Sequence, residues 1–317
     1  MNSIDNNFYK LISYLKKLSE EEIFDNIKYH YENLNPNIQK SLEDYFKKFD
    51  YWGSLNHSIM DYEEIKRRAK SIHNHLNDFI WLYEHLYDYR SKKLLYGILN
   101  NWYRYDFQTL KECQENNYRD YFDLDIVHCD EDEVFVDLGA YTGDTILDYL
   151  REYNGKYKKI YAYEITDDSF KILKQTLETY PNIEFRQKAV LDKNTTTFIE
   201  KSIVGADVNK IVESGEISIE AVSLDSDISE KITAIKMDIE GSEEQALKGC
   251  KHHIQKEHPK LLLSVYHNHE DIWKIPKMIE TIKSGYRFYL RYHGGNIFPT
   301  EVTLIAIYEK KIKDDTI

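Results

Sequence analysis

The sequence is poor in cysteine, proline and long apolar runs, and its basic residues are outnumbered by its acidic ones. Cys113, Cys129 and Cys250 are the only cysteines in 317 residues, and no two are spaced C-x-x-C. That excludes a disulfide framework and a structural zinc site, and it fits a reducing cytoplasm. No run of 18 apolar residues occurs, so no membrane-spanning helix is expected. The opening MNSIDNNFYK lacks the basic and apolar regions of a signal peptide. Lys and Arg number 42 against 55 Asp and Glu, a net charge of −13. Nucleic-acid affinity leans on basic patches that release counterions, so no nucleic-acid partner is expected. Glycine is also missing where a mixed fold would need it: residues 1–128 hold two, Gly53 and Gly97, and one proline, Pro36.

What is present divides the chain near residue 130. Before it, apolar residues recur at helical spacing, first at Leu11, Tyr14, Leu15 and Leu18, later at Leu94, Leu95, Ile98 and Leu99. Four or five helices are expected over 1–128. A break is expected at Asn35-Pro36, and a loop over Ser54–Ile59. The aromatics here, among them Trp81, Tyr83, Trp102 and Tyr103, read mostly as core. After residue 130, short β-rich runs alternate with helical stretches: VFVDLGA, KIYAYE, IEFRQKAV, AIKMDIE, LLLSVYH, YRFYL and VTLIAIY. Strands alternating with helices imply βαβ units and a parallel sheet covered on both faces. The last two runs, linked through Gly294-Gly295-Asn296, read as an antiparallel hairpin. The expected fold is therefore α/β. It is a mostly parallel sheet with a C-terminal antiparallel hairpin over 129–317, preceded by a helical region over 1–128.

Asp137-Leu138-Gly139-Ala140-Tyr141-Thr142-Gly143-Asp144 joins the first strand to the first helix of the second region. Gly139 suits a tight turn, and Gly143 suits close approach to a ligand. Glu164 ends the next strand, where an acid can grip two ribose hydroxyls. The dinucleotide fingerprint needs a second glycine where Tyr141 stands, and Asp137 and Asp144 suit phosphate badly. A cationic, phosphate-free nucleoside such as S-adenosylmethionine suits this loop better. A bare strand–turn–helix elbow is the alternative. Further on, Asp238, Glu240 and Glu243 crowd the end of a strand, and Tyr266 and His267 end another. Neighbouring carboxylates need a cation or donors among them.

The segments VFVDLGAYTGDT, KIYAYE, IKMDIEGSE, LLLSVYHNHEDIWKIP, YRFYLRYH and EVTLIAIY together resemble the FkbM family of methyltransferases. They fall in the class I, S-adenosylmethionine-dependent superfamily. The likeness covers about 134–308 and extends weakly back to about 91. It implies a seven-stranded Rossmann-like sheet and O-methylation of a small molecule, often a sugar or polysaccharide precursor. By position it places Asp137, Gly139, Tyr141, Thr142 and Gly143 around the methionine end of the cofactor, with Ala140 and Asp144 also among the cofactor-binding residues. Glu164 falls at the ribose, and Asp238 beside both cofactor and acceptor. Tyr266, Arg291 and His293 fall on the acceptor side. The family pattern often has His directly after Arg, whereas here Tyr292 intervenes.

For the chemistry, His267 is the candidate general base, because imidazole titrates near neutrality. Asp238 is its orienting partner or an alternative base. Asp238 and Glu240 also offer the hard oxygens Mg²⁺ prefers, a reading placed second to a metal-free mechanism. His252, His253 and His258 read as solvated. The expected acceptor is a sugar or nucleotide sugar, and the helical region covers the acceptor cleft or mediates a homodimer. Two other readings stay open: a non-sugar acceptor such as a phosphoramidate, lipid or antibiotic precursor, and a non-catalytic nucleoside-binding protein.

Overall fold

A computed structural model describes residues 2–49, 52–201, 209–295 and 297–309. Asn296, named above in the hairpin link, lies outside the described residues. The chain divides into two compact units.

The first unit comprises 1–116, 265–277 and 288–304. Its helices are α1 (Ser3–Leu15), α2 (Glu20–Glu32), α3 (Pro36–Lys48), α4 (Glu63–His85), α5 (Tyr89–Arg104) and α6 (Phe107–Glu112). Their starts are written locally. Asn2 and Ser19 each form a capping box with an acid three residues on. Asn35 caps α3 and Pro36 takes its first turn, so the expected break is a helix start. Among the described residues, six α-helices thus stand where four or five are expected. A 3-10 turn, His57–Ile59, sits inside the expected loop; three residues are too few for a periodic signal. Phe8 stacks on Tyr83 at 3.8 Å between ring centroids. Tyr83, Trp102 and Tyr103 are buried, whereas Trp81 is half-buried.

Residues 288–304 are bound into this unit through backbone. The Tyr87 N–H donates to the Phe288 carbonyl at 2.9 Å, and the Glu115 N–H to that of Tyr292 at 2.7 Å. The Leu290 N–H donates to Ser91 Oγ at 2.8 Å.

The second unit comprises 117–264, 278–287 and 305–317. In chain order it runs β1 (Val134–Leu138), α7 (Asp144–Glu152), β2 (Lys159–Tyr163), α8 (Asp167–Leu177) and β3 (Ile183–Arg186). There follow β4 (Ala189–Val190), β5 (Thr195–Glu200), β6 (Lys210–Val212), β7 (Ile217–Val222), α9 (Leu224–Asp227) and β8 (Ala234–Met237). Then come α10 (Glu243–Gly249), α11 (Lys251–Lys256) and β9 (Lys260–Ser264). The chain continues through α12 (Asp271–Ile282), β10 (Tyr286–Tyr292) and β11 (Val302–Tyr308). Seven strands form one sheet in the order β10-β11-β9-β8-β1-β2-β3, parallel from β9 to β3 and closed by antiparallel C-terminal strands. This is the expected Rossmann-like architecture. β1 is an interior strand, between β8 and β2, with five buried residues, as a strand covered on both faces requires.

One β-rich run forms two strands in different sheets rather than one. IEFRQKAV splits into β3 in the large sheet and β4 in a second sheet of order β4-β7-β5-β6. Ala189 and Val190 pair with Ala221 and Val222 of β7 rather than continuing beside β2. No described helix is long and apolar enough to cross a membrane.

Candidate functional site

The carboxyl ends of β1, β2 and β8 meet in the second unit, and three backbone constraints shape the meeting. Gly139 follows β1 with φ +79. Its N–H and that of Ala140 both donate to the Tyr163 carbonyl, at 3.1 and 2.8 Å. The Asp238 N–H donates to the Leu138 carbonyl at 3.1 Å. A Cβ on Gly139 would lie 1.9 Å from the Asp238 carbonyl oxygen. Only glycine fits there, because both the dihedral and the approach of β8 exclude a side chain.

Glu164 ends β2 with each carboxylate oxygen held by a backbone donor. The Tyr141 N–H donates to Oε2 at 3.0 Å and the Thr166 N–H to Oε1 at 2.7 Å. Burial raises the pKa of its carboxyl, against the pull of those N–H groups. Ala140 is buried, while Tyr141, with φ +46, is 36% exposed. Thr142 is half-buried, and Asp144 is exposed at the start of α7, where the helix dipole favours an acid. Gly143 caps α7 with φ +90. A Cβ there would meet Leu173 and Leu177 at 3.2 Å. Its lack of a side chain thus allows close packing against α8.

Asp137 and Lys236 stand side by side on β1 and β8. Both are almost fully buried, with Lys236 Nζ 3.0 Å from Asp137 Oδ1. Nζ also donates to the Gly139 carbonyl at 2.8 Å. Burial pushes the Asp137 carboxyl up to about 6, against the attraction of Lys236. Burial disfavours the charged amine too, yet Asp137, Asp238 and Asp144 together hold Lys236 above its ordinary value. The neutral Asp137 favoured by the fold contributes stability below about pH 4, and that contribution is lost as pH rises through about 6.

Asp238 is oriented from the other side. The Tyr121 hydroxyl donates to Asp238 Oδ2 at 2.8 Å and lies 3.0 Å from Ser264 Oγ on β9. Lys236 Nζ sits 5.4 Å from the centroid of the Tyr121 ring. Tyr121 has φ +66, and Glu240 has φ +54. Bulky residues in the left-handed region are costly, and here they gather at the strand ends, as strained residues do at functional sites. Glu240 does not begin the next helix. Ser242 occupies the N-cap of α10 without a side-chain cap bond, and the Glu243 carboxylate accepts from the Ile239 N–H at 2.9 Å.

Asp137, Gly139, Ala140, Tyr141, Glu164 and Asp238 are thus brought together. Tyr266, His267, Arg291 and His293 belong to the first unit. His267 is 3% exposed, its ring 4.3 Å from that of Tyr266. The Tyr266 hydroxyl donates to Glu301 at 3.2 Å, and its carbonyl accepts from the Trp52 indole at 3.1 Å. Arg291 donates to Asp88 at 2.7 Å and to Ser91 at 3.1 Å. The His293 N–H donates to the Glu301 carbonyl at 3.0 Å. His253 corrects one expectation: far from solvated, it is 2% exposed, with Nδ1 2.7 Å from Glu257. His258 likewise stacks on Tyr308 at 4.0 Å. Sequence reading missed Tyr121 and Lys236. A lysine inside the apolar run AIKM was a usable signal, because a central strand buries lysine only against a partner. Tyr121 carried no such signal, being one of 27 tyrosines.

Residues 137–289 match the family model of the methyltransferase FkbM domain. Among solved structures, the methyltransferase FkbM from Methylobacillus flagellatus KT aligns with 25% identity and a TM-score of 0.63. The alignment covers 76% of this chain and 62% of that one, less than two thirds of its length. An rRNA methylase from Streptococcus thermophilus aligns at 13% identity over 57% of this chain and 89% of its own, with a TM-score of 0.39. Fibrillarin from Aeropyrum pernix, with natively bound S-adenosyl-L-methionine, aligns at 12% over 56% and 67%, with a TM-score of 0.35. The last two are too distant to carry an argument. No curated protein matches the chain.

Proposed function

From the match of residues 137–289 to the methyltransferase FkbM domain model, we propose that the protein is an S-adenosylmethionine-dependent O-methyltransferase of a sugar or nucleotide-sugar hydroxyl. The observation that carries the cofactor half is Glu164: a buried carboxylate, fixed by two backbone N–H groups beside the left-handed turn at Gly139. Such an acid at the end of the second strand suits a ribose diol. The acidic surroundings of Asp137, Asp144 and Asp238 suit a cationic ligand and repel a pyrophosphate.

When bound, S-adenosylmethionine supplies a methyl group already activated on a sulfonium. The protein's own tasks are then alignment and removal of the acceptor proton. Positioning alone is worth roughly 7–11 kcal/mol. Glu164 holds the ribose. Lys236, bonded to Asp137 and to the Gly139 carbonyl, fixes the turn. Tyr121 and Ser264 aim Asp238. His267 takes the acceptor proton. The first unit supplies acceptor-binding side chains or a homodimer contact. The three cysteines are unbridged, which suits a cytoplasmic enzyme, and the acidic charge disfavours a nucleic-acid acceptor.

Calorimetry tests the cofactor half. S-adenosylmethionine and S-adenosylhomocysteine should bind the wild type, and Glu164→Gln should weaken both by about ten- to a hundredfold, the loss of a charge-assisted hydrogen bond. Binding of NAD with no heat from either would overturn the proposal. Tyr121→Phe should lower kcat by about tenfold and leave the cofactor Kd within about threefold, because only the aim of Asp238 is lost. An unchanged kcat would remove Tyr121 from the mechanism. Methylation of a panel of nucleotide sugars, read by radiolabel transfer, tests the acceptor half; label appearing only on RNA would refute it.

A further inference from the structure

The second sheet reaches the proposed ribose acid through a chain of three side chains. Asn209 immediately precedes β6, and its Nδ2 donates to Thr166 Oγ1 at 3.1 Å. Thr166, two residues past Glu164, binds the Glu164 carboxylate twice. Its N–H donates to Oε1 at 2.7 Å, and its hydroxyl hydrogen-bonds the carboxylate as well. Glu164, Thr166 and Asn209 are all buried. A hydroxyl has one proton to give. With the Asn209 amide on the Thr166 oxygen, that proton is left for Glu164, and hydrogen bonds linked in this way polarise one another. Burial raises the pKa of the Glu164 carboxyl, and the Thr166 N–H and the Thr166 hydroxyl oppose that rise.

The sheet that carries Asn209 is itself tied to the rest of the second unit. β6 pairs with β5, and β5 with β7. A Cβ on Gly249 of α10 would lie 1.9 Å from the Leu191 carbonyl oxygen, just past β4. The Leu191 N–H donates to the Val222 carbonyl of β7 at 2.9 Å. Beyond β7, Asp225 on α9 accepts from the His252 and His253 N–H groups of α11 at 2.8 and 3.1 Å. Asp227, also on α9, accepts from the hydroxyl of Tyr163, the residue before Glu164, at 2.6 Å. The end of β2 is thus gripped on both sides of Glu164, by α9 at Tyr163 and by Asn209 at Thr166. A carboxylate that binds a diol must be ionised and held in one orientation, and neighbours fixed by their own partners provide both. We propose that Asn209 is a positioning residue for ribose recognition: through the Thr166 hydroxyl it holds Glu164 toward the two ribose hydroxyls, which makes the second sheet part of the cofactor site. The identity of the ligand rests on the proposed function.

Calorimetry on the full chain tests this with two probes, S-adenosylhomocysteine and its 2′,3′-dideoxy analogue, which lacks both ribose hydroxyls. The wild type should prefer the first by about tenfold or more. Asn209→Ala should weaken S-adenosylhomocysteine binding by about three- to tenfold and leave the dideoxy analogue within about twofold. Asn209→Asp keeps the shape but draws the Thr166 proton away from Glu164, so it should show the same selective loss and guards against misfolding of the alanine variant. Thr166→Val should lose as much, and Thr166→Ser, which keeps the hydroxyl, should recover most of it. In a Glu164→Gln background, Asn209→Ala should add little, because residues that act through one group are not additive. Equal losses for the two probes, or a full further loss in the Glu164→Gln background, would make the role of Asn209 merely structural and overturn the proposal. A wild type that prefers the ribose probe, beside Asn209 and Thr166→Val variants of unchanged affinity, would overturn this proposal alone. A wild type that binds neither probe would overturn the proposed function with it.

Discussion

Gly139→Ala should abolish S-adenosylmethionine binding and lower stability by about 3 kcal/mol or more, the range for overpacking combined with a strained dihedral. The added methyl would stand 1.9 Å from the Asp238 carbonyl oxygen. That atom belongs to backbone, and the Asp238 N–H is already bonded to Leu138, so it cannot swing away as a side chain would. The alanine would also hold φ +79, which L residues rarely adopt. Relief requires β1 and β8 to separate, and with them Asp137 from Lys236. Calorimetric unfolding and a cofactor titration check this together. A variant with native melting and native affinity would show that the turn tolerates a side chain.

His267→Ala should leave cofactor affinity within about twofold and slow turnover by about 10²-fold or more, the contribution of a positioned general base. The cofactor groups proposed above lie on β1, β2 and β8, and His267 is on none of them, so the two readouts should separate. A near-wild-type rate would remove His267 from the chemistry. Activity lost on EDTA treatment and restored by Mg²⁺ would instead favour Asp238 and Glu240 as metal ligands.

These point variants are better probes than removal of residues 1–90. The Tyr87 N–H donates to the Phe288 carbonyl, and the Ser91 hydroxyl oxygen accepts from the Leu290 N–H. Deletion would strip partners from 288–304 and confuse loss of function with loss of fold.

Much of the architecture was legible because it is periodic. Runs such as VFVDL and KIYAY are short, apolar and bounded by glycine or acid, which suffices to recognise buried parallel strands. The helix starts at Asn2, Ser19 and Asn35 are likewise local, since a capping bond spans two or three residues. The small second sheet was not legible. Its strands TTTFIE and ISIEAV are mostly exposed or half-buried and carry little apolar signal, and β4 has two residues.

The sequence alone determined the α/β class, the strand-ending acids Glu164 and Asp238, and the need for glycine at 139. Each of these depends on residues within a few positions of one another. Tertiary structure decided which distant side chains share an environment. It placed Tyr121 on Asp238 across 117 positions of chain. It paired Lys236 with Asp137 through the β1–β8 register, and it assigned His267 and Arg291 to the unit built around the N-terminal helices. A hydrogen bond or ion pair is indifferent to sequence separation, whereas amphipathic periodicity and capping are not. The scaffold could therefore be read along the chain, and the partners within its sites could not.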